Sequence, residues 1–169
     1  MALFPGWAAP DFAAETTAGP IRFRAWLDGA WGIVITHPDD YSPQTLRSGM
    51  AWARSCTRPV KLLGLSSAGR HLGAGTANQA AARPAEGPEF PTIRGDAGGI
   101  AALWRGVPPD VGPAAAPLDE HVVFIVDPTG MIRTTLSYPP SGDRNFADII
   151  QVVEAFDTGC RSVRHRHAA

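Results

Sequence analysis

Two histidines stand at the ends of apolar runs. His37 follows Ile33-Val34-Ile35-Thr36, and His121 precedes Val122-Val123-Phe124-Ile125-Val126. Imidazole is the side chain that gains and loses protons near neutral pH, so both are candidates for acid–base work. His121 carries more weight, because an imidazole at the start of a buried strand needs a hydrogen-bond partner. Asp39 and Asp40 follow His37 closely. One of them could orient His37, as a carboxylate orients a catalytic imidazole. The plainer alternative is a solvated acidic loop, with His37 bonded to a loop carbonyl. Asp39, Asp40 and Glu120 lack the spacing of a metal site. Arg164-His165-Arg166-His167 reads as a frayed tail, and His71, beside Arg70, as a surface residue.

Sulfur is scarce. Cys56 and Cys160 do not make a disulfide scaffold. Cys160 lies in a glycine-containing segment near the chain's end and reads as a candidate exposed thiol, with no partner evident. The net charge of -1 gives no reason to expect nucleic acid or an anionic membrane as a partner. Lys61 is the only lysine in an arginine-rich, Ala-, Gly- and Pro-rich chain, which reads as a coding background. A charged leader followed by an apolar run is not evident, and no apolar stretch reaches the roughly 18 residues of a membrane span. A cytoplasmic protein is the expectation.

At 169 residues the chain is expected to form a single domain over 1–169, with a core at about 9–156 and loose ends at 1–8 and 157–169. Phe12 to Glu15 and Ile21 to Phe23 flank Gly19-Pro20 and predict a hairpin. Ile33–Thr36 and Val60–Leu65 predict strands buried on both faces. Pro43 at a first helical position, with Ser42 as N-cap, predicts a helix to about Arg54. Ala68 to Ala82 predicts partial helix, Pro88 to Gly95 a short strand, Gly98 to Trp104 a short helix, and Val107 to Pro117 a loop. Val122–Val126 and Met131–Ser137 flank Asp127-Pro128-Thr129-Gly130 and predict a second hairpin. Ile149, Ile150, Val152, Val153 and Phe156 lie at helical spacing within Phe146–Phe156. The pattern is α/β and thioredoxin-like: a central mixed sheet flanked by helices, with an N-terminal hairpin.

Several segments together resemble the peroxiredoxin family, the alkyl hydroperoxide reductase or thiol-specific antioxidant proteins, and most nearly its 1-Cys type. They are Ala9-Pro10-Asp11-Phe12, Trp31 to Pro38, Pro59 to Ser66, His121 to Pro128, Tyr138-Pro139 and Gly142-Asp143-Arg144-Asn145-Phe146, in the family's order. The family's active-site loop runs Pro, three residues, Thr or Ser, two residues, then the peroxide-attacking Cys. Here Pro38 and Ser42 fit, and Thr45 takes the nucleophile's place. His121 takes the place of an active-site Arg, while His37 and the second Arg, Arg144, are kept. The helix after the loop looks about one turn shorter than the family's, and the C-terminal arm of larger 1-Cys members is not evident.

The resemblance implies that Thr45 lies in the first turn of a helix, where unpaired N–H groups and a positive macrodipole favour an anion or a carbonyl oxygen. It implies a pocket shared by His37, Tyr41, Ser42, Thr45, His121 and Arg144. A threonine hydroxyl cannot act as a low-pKa sulfur nucleophile. Cys56 lies 11 residues on, about 16 Å along a helix, too far to replace it. The expected function is therefore cofactor-free acid–base chemistry on a small organic metabolite, in a bacterial metabolic pathway. His121 and His37 would move protons, Ser42 and Thr45 would hold an oxyanion, and Arg144 and Tyr41 would bind substrate, with no metal. The alternatives are a non-catalytic binding or interaction protein, and a thiol peroxidase using Cys56 or Cys160. The resemblance also implies a homodimer.

Overall fold

The computed structural model describes residues 3–66, 89–94, 100–104, 121–139 and 144–160. The hairpin pairs β1 (Ala13–Thr16) with β2 (Gly19–Arg22), antiparallel. Its turn falls at Thr17-Ala18, ahead of the expected Gly19-Pro20. The Thr16 hydroxyl accepts from the Ala18 amide at 3.1 Å and donates to the Gly19 carbonyl at 2.7 Å. Gly19 closes the turn at φ 107°, a conformation that suits glycine alone. Phe23, expected to end the second strand, instead opens the helix α1 (Phe23–Leu27). There its fully buried ring stacks on Phe12 with centroids 5.2 Å apart.

The main sheet has five strands in the order β5-β4-β3-β6-β7. They are β3 (Trp31–Thr36), β4 (Val60–Ser66), β5 (Thr92–Arg94), β6 (His121–Val126) and β7 (Ile132–Tyr138). Strands β3, β4 and β5 are parallel; β6 runs antiparallel to β3, and β7 to β6. All six residues of β3 are buried, as the unbroken apolar run requires of a central strand. Met131 lies just outside β7 and bridges to Ala8. The Ala-rich segment Ala68–Ala82 and the Val107–Pro117 loop lie outside the described residues. The short strand and short helix expected at their borders appear as β5 and as α3 (Ile100–Trp104).

Alternate side chains of the sheet feed two cores. Val34, Leu63, Ile93 and Phe124 pack with Phe23 and Trp104 on one face. Ile33, Ile35, Leu62, Val123 and Ile125 pack on the other against α2 (Pro43–Ser55) and α4 (Ala147–Phe156), through Leu46, Trp52, Ile149 and Val153. Each large side chain so buried contributes about 1.5–3 kcal/mol of transfer free energy.

Neither end of the described chain is loose. Leu3 is buried and bonds to the Trp104 carbonyl, and Gly6 and Trp7 exchange bonds with Ile132. These contacts satisfy backbone groups at the start of β7, which is an edge strand. At the other end, Thr158–Cys160 forms a 3-10 turn, and Cys160 is buried at 1% exposure, contrary to an exposed thiol. It packs beneath Trp52, whose indole N–H donates to the Cys160 carbonyl at 3.2 Å.

Gly49 sets how closely α2 approaches the start of α4. A Cβ there would lie 2.7–2.8 Å from three atoms of the buried Phe146 ring. Gly49→Val is therefore expected to destabilise the protein by about 1–3 kcal/mol, as overpacking of a filled core does. Urea unfolding checks this; an unchanged midpoint would mean that the helices separate without cost.

Candidate active site

The site begins where β3 leaves the sheet. The Thr36 hydroxyl accepts from the Val122 amide at 2.8 Å and donates to the Val122 carbonyl at 3.0 Å. A side chain thus replaces the next rung of the β3–β6 ladder, and the backbone is released. His37 then adopts φ 57°, ψ 58°, in the left-handed region, while its amide still bonds the Leu65 carbonyl at 3.0 Å. The 3-10 turn Pro38–Asp40 follows. It carries Asp40 back toward the first residue of β6.

There His121 Nδ1 donates to the Asp40 carboxylate. The same Oδ2 lies 3.2 Å from Arg144 Nη2, which also donates to the Pro139 carbonyl at 2.8 Å. The Arg144 side chain is only 5% exposed. An ionised carboxylate only accepts, so the proton of this bond sits on His121 Nδ1, and Nε2 is the ring nitrogen away from the carboxylate. The His37 ring stacks on that of His121, with centroids 4.1 Å apart and 25° between planes. His37 Nδ1 lies 3.2 Å from the Thr36 hydroxyl oxygen.

The sequence offers an acid to orient His37. The geometry differs: Asp40 orients His121, because the 3-10 turn points its carboxylate across to β6. Asp40 and His121 are 81 residues apart, so no local spacing could have paired them. Arg144 bears on the site through Asp40, and its guanidinium lies over the Tyr138 ring at 5.1 Å and beside Tyr41 at 6.0 Å. Tyr138, which the sequence does not mark as a site residue, enters through its pairing opposite His121 in the β6–β7 ladder.

The Tyr41 and Tyr138 hydroxyls are buried and make no hydrogen bond among the described residues. Burial, aided by the neighbouring Tyr138, pushes the Tyr41 phenol up to about 12. It therefore remains a proton donor at any ordinary pH. Burial, then Asp148, raises Tyr138 as well.

Ser42 and Thr45 open α2. Ser42 is the N-cap, accepting from the Thr45 amide at 3.1 Å, and the two hydroxyls are 2.8 Å apart. Pro43 at the first helical position has no N–H to leave unpaired. The described hydrogen bonds of this pair stay within the helix start, whereas His37, Asp40, His121, Arg144, Tyr41 and Tyr138 form one cluster directly before it. Cys56 caps the opposite end of α2. Burial pushes both thiols above the ordinary thiol value. Among the described residues no group of His, Cys, Asp and Glu could hold a metal ion, and no helix is long and apolar enough to cross a membrane. Glu120, His71 and the Arg164–His167 tail lie outside the described residues.

The phenols and thiols set an alkaline limit to stability. Unfolded, they lose protons near their ordinary values of 10.0 and 9.0, while folded Tyr41 and both cysteines keep theirs to higher pH. Above pH 9 the unfolded state thus binds fewer protons than the folded one, and stability falls as pH rises toward 12. Thermal melts are expected to show Tm constant near pH 8 and dropping through pH 10–11. A Tm that holds to pH 11 would contradict the burial of these groups.

The strand order, the N-terminal hairpin and a polar site at the start of the helix after β3 define a thioredoxin-like α/β protein of peroxiredoxin type. Scanning against family models gave no match. Individual proteins do match. The chain is 34% identical to mouse (Mus musculus) peroxiredoxin-6 over 172 residues, covering 95% of this chain and 76% of that protein. It is 33% identical to chicken (Gallus gallus) peroxiredoxin-6, covering 90% and 72%. Among solved structures, a yeast mitochondrial 1-Cys peroxiredoxin, studied for thiol resolution by glutathione and thioredoxin systems, superposes with a TM-score of 0.61 at 30% identity, covering 91% of this chain and 76% of that one. AhpC of Mycobacterium bovis shares the fold alone, with a TM-score of 0.63 at 18% identity over 92% and 98%. The chain belongs to the peroxiredoxin family.

Proposed function

We propose that this peroxiredoxin-family chain is a cofactor-free enzyme that moves protons on a small organic metabolite. The observation that carries the reading is the Asp40–His121 pair. Asp40, held by Arg144, fixes His121 with its Nε2 lone pair away from the carboxylate, the arrangement of a general base. His37, stacked on it, is the second proton carrier. Tyr41 supplies a phenolic proton to a developing oxyanion, and Ser42 and Thr45 offer hydroxyls at the adjoining helix start. Arg144 is the positioning residue. The reactions within reach are elimination, cyclisation, isomerisation and hydrolysis, and a bacterial metabolic pathway is the setting. A homodimer in the cytoplasm is part of the proposal.

The family's usual chemistry is the second reading, because the relatives are peroxiredoxins. Against it, residue 45 is threonine. Both thiols are also shifted away from the thiolate form that attacks peroxide. Binding without chemistry is the third. Incubation in deuterium oxide with a small-metabolite extract, read by mass spectrometry, separates these readings. Deuterium uptake or consumption of a compound by the native protein, lost in His121→Ala, supports proton transfer. Identical extracts after both proteins would sink it in favour of binding.

A further inference from the structure

The chain has two cysteines, and the fold brings them together although they are 104 residues apart. Cys56 ends α2, and its Sγ lies 3.6 Å from the Trp52 carbonyl and 3.8 Å from the carbonyl of Cys160 itself. Cys160 is buried, whereas Cys56 is partly exposed and so is the sulfur a reagent reaches first. Cys56 has left the helix at φ -68°, ψ 138°, and Cys160 closes a three-residue 3-10 turn. We propose that Cys56 and Cys160 are a redox-modification site, a dithiol that a small-molecule disulfide converts to an intramolecular disulfide fastening the end of α2 to the end of the chain.

The chemistry balances with a low-molecular-weight disulfide RSSR as oxidant. Cys56, as thiolate, attacks one sulfur of RSSR; a Cys56–S–SR bond forms and RS⁻ leaves. Cys160, as thiolate, then attacks the Cys56 sulfur, forming Cys56–Cys160 and releasing the second RS⁻. The two thiol protons end on the two RS⁻ groups, so the protein loses two hydrogens and RSSR becomes two RSH. The raised pKa values make the first attack slow at neutral pH and faster as pH rises. Glu154, Asp157 and Arg58 are the charged neighbours, and the two acids work against the thiolates.

The test uses the full chain with oxidised glutathione at pH 8, quenched with acid and read by intact mass and peptide mapping. The expected product is a monomer lighter by two hydrogens, with the Cys56 and Cys160 peptides linked. Its Tm should exceed that of the reduced protein by roughly 10 °C, as closure of a loop of about 100 residues implies. At a fixed glutathione ratio, urea should lower the linked fraction, because the fold supplies the proximity. Cys56→Ser should abolish the product, and Cys160→Ser should stop at a Cys56–glutathione adduct. A stable adduct on the native chain would overturn the proposal. So would a disulfide between two chains, an absence of reaction, or a linked fraction indifferent to urea.

Discussion

His121→Ala is expected to lower turnover by about 10²–10⁴-fold, the range a single general acid–base group supplies. The fold should barely register the change. The lost bond to Asp40 is worth about 1–2 kcal/mol, and Asp40 keeps Arg144 as partner. In a chain of this size that lowers Tm by only a few degrees, about 2–4 °C per kcal/mol. Turnover of the metabolite found in the deuterium experiment and thermal unfolding should be measured on one preparation. A large Tm drop with near-normal turnover by the folded fraction would make His121 a structural residue and remove the proton-transfer reading. Asp40→Asn sharpens the test, since it keeps a hydrogen-bonding group beside Arg144 but changes which tautomer His121 prefers. A turnover loss with little change in Tm is expected there too.

Peroxide gives the second large contrast. The protein is expected to consume no hydrogen peroxide above background with a thiol reductant, because residue 45 is threonine and both thiols are desolvated. Thr45→Cys puts a thiol at the third residue of α2, within reach of Ser42 and the first-turn amides. The variant is expected to gain measurable but incomplete peroxidase activity. Arg144 is engaged by Asp40, and an imidazole stands where the family resemblance expects a second Arg. A stopped-flow peroxide assay of both proteins decides this. Turnover by the native chain that vanishes in Cys56→Ser would restore a thiol mechanism. Full activity in Thr45→Cys would show that His121 serves as well as an arginine.

The sheet was legible in the sequence because its strands are short apolar runs bounded by turn residues. Ile33–Thr36 and Val60–Leu65 signal two-faced burial by composition alone, and Val122–Val126 is marked by the turn that follows it. Ser42-Pro43 marked the start of α2, since a capping hydroxyl followed by proline has few other uses. The first turn falls two residues ahead of Gly19-Pro20, although that pair is a strong turn signal and the Thr16 hydroxyl is a weak one. The catalytic candidates His37 and His121 were visible as lone imidazoles at strand ends. Their partners were not. Asp40 reaches His121 only after a left-handed residue and a 3-10 turn, and Tyr138 reaches the site only through strand register. Cys160 looked exposed because its own segment is polar; Trp52, more than a hundred residues away in sequence, covers it.

One carboxylate in the site serves two nitrogen bases. With His121 neutral, the formal charges of Asp40 and Arg144 sum to zero. A proton added to His121 Nε2 finds that carboxylate already matched, so the cluster becomes a cation directly before the positive end of α2. The same proton that His121 would take from a substrate therefore creates the counter-charge for the anion left behind. A simple carboxylate, titrated into the protein by calorimetry, should bind more weakly to His121→Ala than to the native protein.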